Sequence, residues 1–171
     1  MNLADRWRRL EAALSSAESD SVTLCPGASE VRFPRFTEAN TDLAILYSCH
    51  DGQSGSPLLQ VGDQAFEFLT SKLAMKEYEL MNELLDGGDF VGMRANPSTG
   101  IQNAWWHKHW MPIGRDSHGN LVCVDYVPAE GGTLAQVIVV NSDRADRQVV
   151  AESLGECLKL VADEWTDKTS G

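Results

Sequence analysis

Apolar residues return along this chain with two different periods. Across residues 2–14, Leu3, Trp7, Leu10 and Leu14 recur at steps of three and four, which predicts a helix with one buried stripe. Asn2 suits its N-cap, and Asp5 places a carboxylate in the first turn, where the helix dipole favours it. Residues 15–21 break the pattern, and Cys25-Pro26-Gly27 marks a turn. Pro34 opposes a long helix across 30–36. A second helix is predicted over 41–50, with Leu43, Leu46 and Tyr47 inward and Gly52 as its stop. Residues 53–57 read as loop and Phe66-Glu67-Phe68-Leu69 as a short strand. A third helix follows over about 71–85, its stripe drawn through Leu73, Glu77, Leu80 and Leu84, with Gly87-Gly88 ending it.

Beyond residue 100 the period shortens to two. Residues 104–113, 121–126 and 135–141 read as three sequential strands, most simply an antiparallel meander with turns at 117–120 and 128–132. Gln136, Ile138 and Val140 alternate with Val137 and Val139, so that strand is expected to be covered on both faces. Val149 and Val150 suggest a further short strand. Ser153-Leu154-Gly155-Glu156 has a capping-box pattern, opening a helix whose stripe is Leu154, Cys157, Leu158, Val161 and Trp165. The expected fold class is α+β: a single domain with an antiparallel sheet packed against several helices. Its core runs over about 3–165, followed by a short flexible tail at 166–171.

A chain of 171 residues suffices for one core, and ordinary hydrophobic and charged fractions (43% and 23%) place it among globular proteins. Charge changes the picture more. With 25 acidic residues against 14 basic ones the net charge is −11, which opposes nucleic acid and anionic membranes and favours basic partners. Glu77, Glu79, Glu83, Asp86 and Asp89 form a run without a base among them; it reads as a solvated face, or as one that meets a partner. The only basic cluster is Arg6, Arg8 and Arg9. No stretch approaches the ~18 apolar residues of a membrane span, and the N-terminal residues do not resemble a signal peptide. Cys25, Cys49, Cys123 and Cys157 lie far apart, and three sit in apolar runs, so buried free thiols and a cytoplasmic location are expected.

Chemical candidates are few. His107 and His109 would share one face of a strand, with His118, Cys123 and Asp125 near across a hairpin, but no spacing supplies a third metal ligand. No Gly-x-Ser-x-Gly occurs, and His50-Asp51 reads as a helix C-terminal turn rather than a catalytic pair. The glycines of 87–92 lack the lysine and the spacing of a phosphate loop. Trp105 and Trp106 have only Lys108 and Arg115 nearby, too little positive charge for a nucleic-acid stripe. Neither metal nor enzymatic activity is expected.

The order of features resembles the SUKH superfamily, which includes yeast regulators of cell-wall synthesis and many bacterial immunity proteins. The likeness runs from Trp7-Arg8-Arg9-Leu10-Glu11 through Pro26-Gly27-Ala28 and His50-Asp51-Gly52-Gln53. Its most specific part is Trp110, Pro112, Ile113, then Asp116, Gly119, Asn120, then Asp125. It continues with Gly131-Gly132, Gln136-Val137-Ile138 and the terminal Ala151-Glu152-Ser153-Leu154. Residues 31–40 depart from the family's short acidic helix and Leu-Pro. In this light the hairpin is scaffold: Gly119 and Asn120 suit positive backbone angles, Trp110 and Ile113 suit core, and Asp125 a turn or edge hydrogen bond.

The resemblance implies no enzymatic activity, no cofactor, and work done by binding another protein. Two functions follow from it. One is an immunity protein that neutralises a cognate basic bacterial toxin such as a nuclease; the other is a cytosolic regulatory or scaffolding module with an endogenous partner. The size of a single domain without long disordered extensions favours the first. The expected contact is the acidic run from Glu77 to Asp89, with Trp105 and Trp106 as exposed loop aromatics giving an apolar anchor inside a charged rim.

Overall fold

Strand Leu121–Asp125 (β7) is buried at every position, and successive side chains enter two different cores. Val122 and Val124 face one, Leu121 and Cys123 the other. The same alternation runs through Trp110–Arg115 (β6) and Gln136–Val140 (β8): Met111, Ile113, Val137 and Val139 on one side, Trp110, Ile138 and Val140 on the other. A sheet buried on both faces needs a layer on each, and the remaining elements supply them.

The computed structural model describes residues 2–17, 21–36 and 41–170, the final two by backbone alone. Its helices are Leu3–Ser16 (α1), Thr41–Cys49 (α2), Ser71–Asp86 (α3) and Leu154–Ser170 (α4). The other strands are Val22–Leu24 (β1), Gln53–Gly55 (β2), Leu59–Val61 (β3), Gln64–Phe68 (β4), Asn96–Pro97 (β5) and Asp146–Ala151 (β9). Seven strands form the main sheet in the order β3-β4-β6-β7-β8-β9-β5, antiparallel except for the two-residue β5–β9 pair, while β1 and β2 form a separate ribbon. The α+β expectation holds, and the meander β6-β7-β8-β9 is its spine.

On the first face, α1, α2 and α4 bury Trp7, Leu10, Leu43, Leu46, Leu158 and Val161. Asn2 caps α1 by accepting from the Asp5 amide at 2.8 Å, and Arg6–Glu156 (3.1 Å) and Arg9–Asp163 (2.6 Å) clamp α1 to α4. Ser153 Oγ caps α4, accepting from the Glu156 amide at 3.1 Å. On the second face lie Ile101, Trp106 and the C-terminal half of α3, through Met81 and Leu85. Gly114 lets the sheet close at the β6 bulge: a Cβ there would meet Leu59 Cδ1 at 2.9 Å and Glu67 O at 3.2 Å.

Four expectations need correction. The first strand of the meander begins at Trp110, not at 104, because 104–109 folds into turns: Trp110 N donates to His107 O (3.0 Å) and His109 N to His107 Nδ1 (3.0 Å). The buried side of α3 is Ala74, Met75, Tyr78, Met81 and Leu85, leaving Leu73 and Leu80 47% and 48% exposed. Two apolar stripes one residue apart both satisfy helical spacing, and the aromatic one is inside, with Tyr78 Oη donating to Lys108 O at 2.8 Å. Residues 53–55 are strand rather than loop; β1–β2 is only three pairs long, below the reach of a periodic signal. Of the cysteines, Cys123 and Cys157 are buried, but Cys25 and Cys49 are half-buried; all four are free thiols. In the divergent region, Phe33 and Phe36 pack on the first core, Phe36 stacking on Tyr126 at 4.9 Å, and 37–40 lie outside the described residues.

Candidate protein-binding site

The groups that looked chemical in sequence are engaged in holding the fold. His50 sits at the end of α2 with Nδ1 2.9 Å from Cys25 O and Nε2 2.6 Å from Glu11 Oε1, its ring edge-on to Trp7. Asp51 Oδ1 accepts from the Ser71 amide at 2.6 Å, at the start of α3. Gly52 has φ +85° and lies so close to Thr70 that a Cβ would sit 2.6–2.9 Å from it. Gln53 Oε1 accepts from the amides of Leu58 (2.7 Å) and Phe68 (2.9 Å). Four consecutive residues thus join α1, the 25–28 turn, α3 and the β3–β4 hairpin.

The 110–126 segment is likewise a scaffold. Asp116 Oδ1 accepts from the amides of His118 and Asn120 at 2.9 Å each, and Oδ2 from Asn120 Nδ2 at 2.9 Å. Gly119 takes the positive angle (φ +84°). Asn120 does not, contrary to expectation: it is buried, and its Oδ1 accepts from the Ser142 amide (2.9 Å), tying this hairpin to the next connection. Pro112 is a buried strand residue beside the bulge. Asp125 is fully buried; Oδ1 accepts from Val127 N and Oδ2 from Gln136 Nε2, both at 2.9 Å, and Gln136 also donates to Gly100 O. Burial pushes the Asp125 carboxyl above its ordinary range, opposed by those hydrogen bonds and by His107. Burial and the neighbouring His109 pull the His107 imidazole below its usual value. Among the described residues no three His, Cys, Asp or Glu side chains gather as a metal site.

One side chain escaped the sequence reading. Arg147, 0% exposed on β9, donates to the carbonyl oxygens of Trp105, Asn141, Arg144 and Asp146 at 2.8–3.2 Å. It pins 104–106 and the β8–β9 turn to the sheet without a carboxylate partner, and burial lowers its pKa to about 10. Its parity with Val149, which packs on the second core, was the available signal.

What remains for function is surface. The arginines of α1 are consumed: Arg6 and Arg9 by α4, Arg8 by Asp5 at 2.6 Å. The acidic run divides. Glu77 is mostly covered and pairs with Arg115, contrary to its expected exposure, and Asp86 pairs with Lys108 at 2.7 Å. Glu79, Glu83 and Asp89 are exposed and make no ion pair among the described residues. Trp105 and Trp106 are not exposed loop aromatics as expected. Trp106 is buried edge-on against Trp110 with Nε1 donating to Asn82 Oδ1 (2.9 Å), and Trp105 is half-covered beneath Arg147 at 4.4 Å. The apolar groups that α3 and its following loop do expose are Leu73, Leu80, Met93 and Val91, the last 85% exposed.

Known proteins are similar to this chain in sequence. The Neurospora crassa glucan synthesis regulatory protein is 37% identical over 82 residues, covering 48% of this chain and 14% of that protein. The Saccharomyces cerevisiae cell wall assembly regulator SMI1 is 34% identical over 87 residues, 48% of this chain and 17% of the relative. The Schizosaccharomyces pombe cell wall biosynthesis/cell cycle regulator smi1 is 33% identical over 66 residues, 39% and 13%. This chain therefore spans under a fifth of the length of each of these relatives. The description of the SMI1 / KNR4 family (SUKH-1) matches residues 42–160, from the start of α2 into α4 and across the whole meander. This chain belongs to the SMI1 / KNR4 family.

Proposed function

We propose that this domain is a regulatory or scaffolding module that binds an endogenous protein partner. The observation that carries the reading is the outward side of α3, where Leu73 and Leu80 stand half exposed beside the unpaired Glu79 and Glu83. Apolar anchors flanked by uncompensated carboxylates suit a partner presenting an apolar pocket with a basic rim. The names of the fungal relatives, all regulators of wall or glucan synthesis, favour regulation over toxin immunity. The engaged state of His50, Asp51, Asp116 and Asp125 favours binding over catalysis.

Two measurements test this. Cross-linking in cells that carry the gene should recover a cellular partner with the native chain and lose it with Leu80→Asp. The proteins encoded beside the gene should be harmless when expressed alone. A neighbour that halts growth alone and is tolerated with this chain would replace the regulatory reading by immunity.

A further inference from the structure

The β3–β4 hairpin pairs with β6 through Glu67 and Phe68, opposite Arg115 and Gly114, with the Leu69 amide donating to Ile113 O just beyond. Its tip, 61–64, stands away from β6, and a Cβ on Gly62 would meet nothing within 4 Å. Between that tip, α4 and the β8–β9 pair lies a depression of about 320 Å³. Its apolar wall is Val61, Val150 and Leu160, the last 48% exposed although it lies between two secondary-structure layers. Asp63 and Glu164 stand at its rim. A second depression of about 450 Å³ shares Asp63 and continues past Asp143.

We propose that this continuous groove docks an extended basic segment of a partner protein, with an apolar side chain against Leu160 and Lys or Arg beside it. Three observations favour that occupant. Asp63, Asp143 and Glu164 make no ion pair among the described residues, and with Asp116 they outnumber Arg144 in the lining, so the groove carries net negative charge in a chain of net charge −11. The exposed aliphatic wall gives a short apolar anchor a place to be desolvated. β3 is the terminal strand of the sheet and lines the groove through Gln60 and Val61, so an extended chain can lie along it, although the Gln60 amide already donates to Leu58 O at 3.1 Å. The groove opens on the α4 face of the sheet, whereas Met81 and Leu85 set the C-terminal half of α3 against the other face, so this is a second surface. The inference rests on the reading of the domain as a protein-binding module.

The test is selection from a random library of displayed peptides about eight residues long, a usual strand length, against the full chain. The strongest selected peptide, fluorescein-labelled, is then titrated by anisotropy. Peptides with Lys or Arg next to an aliphatic or aromatic residue should be enriched. The Kd of the labelled peptide should rise at least about tenfold in Leu160→Asp and in Asp63→Lys/Glu164→Lys, and weaken with salt, while Glu79→Lys/Glu83→Lys leaves it unchanged. All these positions are exposed, so thermal melts of the variants serve as the folding control. No enriched basic-apolar class, or binding indifferent to the groove variants, overturns the proposal. Binding lost only in the α3 variant overturns the groove and leaves the α3 reading standing. Binding lost only in the groove variants, together with partner capture indifferent to Leu80→Asp, keeps the groove and removes α3.

Discussion

Trp105 meets Arg147 twice: its carbonyl oxygen accepts from Nη2 at 2.8 Å and Nε at 3.2 Å, and its indole ring lies 4.4 Å from the guanidinium carbon. With three further carbonyls on Nη1, this one cation closes the loop that precedes β6 against the turn that precedes β9. A lysine ammonium offers three donors from a single point and cannot reproduce that fork. Arg147→Lys should therefore lose at least about 2 kcal/mol, the scale of leaving buried carbonyls unpaired. Urea unfolding measures it; a loss below about 0.5 kcal/mol would mean that water replaces the guanidinium without penalty.

Asp125 gives a pH signature. Its folded-state pKa is raised above the ordinary 3.8 by burial, so the folded chain keeps a proton that the unfolded chain releases. Its contribution to stability is thus fullest below 3.8 and is lost as the pH rises through the raised folded value. Asp125→Asn cannot titrate. Unfolding free energies of the two proteins measured from about pH 3.5 to 7 should shift relative to one another in favour of the variant as pH rises. A pH-independent difference would show that this carboxyl titrates alike in the folded and unfolded chains.

Trp110 in the second core and Leu80 on the outward side of α3 make a further contrast. Trp110 is 0% exposed and Leu80 48% exposed. Trp110→Ala should cost about 3–5 kcal/mol, and Leu80→Ala less than about 0.5 kcal/mol. Denaturant titration of both decides whether the outward stripe of α3 is free of any folding role. Equal losses would put Leu80 in the core.

Much of the fold was legible because long-range burial writes a local period. Leu121–Asp125 announced a strand and Gln136–Val140 one covered on both faces, and Trp7, Leu10 and Leu14 announced the face that α1 buries. The α3 face was not, because Leu73, Leu80 and Leu84 sit one residue from Ala74, Met81 and Leu85, and only the tertiary contacts of Tyr78 choose between them. The tryptophan pair misled for a related reason. Trp105 and Trp106 read as exposed aromatics, yet Asn82 and Arg147, respectively 24 and 42 positions away, draw them inward. Glu77 belongs to the acidic run by sequence, and its pairing with Arg115 depends on α3 lying across β6. Pairings between distant elements leave no trace in spacing.

The central claim is that the outward side of α3 meets a basic partner. The direct measurement is the association rate of the cross-linked partner with the native chain and with Glu79→Lys/Glu83→Lys across a salt series. Electrostatic steering by these carboxylates requires slower association in the variant and a flatter salt dependence, with the thermal melt unchanged. Identical rates and identical salt slopes for the two proteins would contradict it.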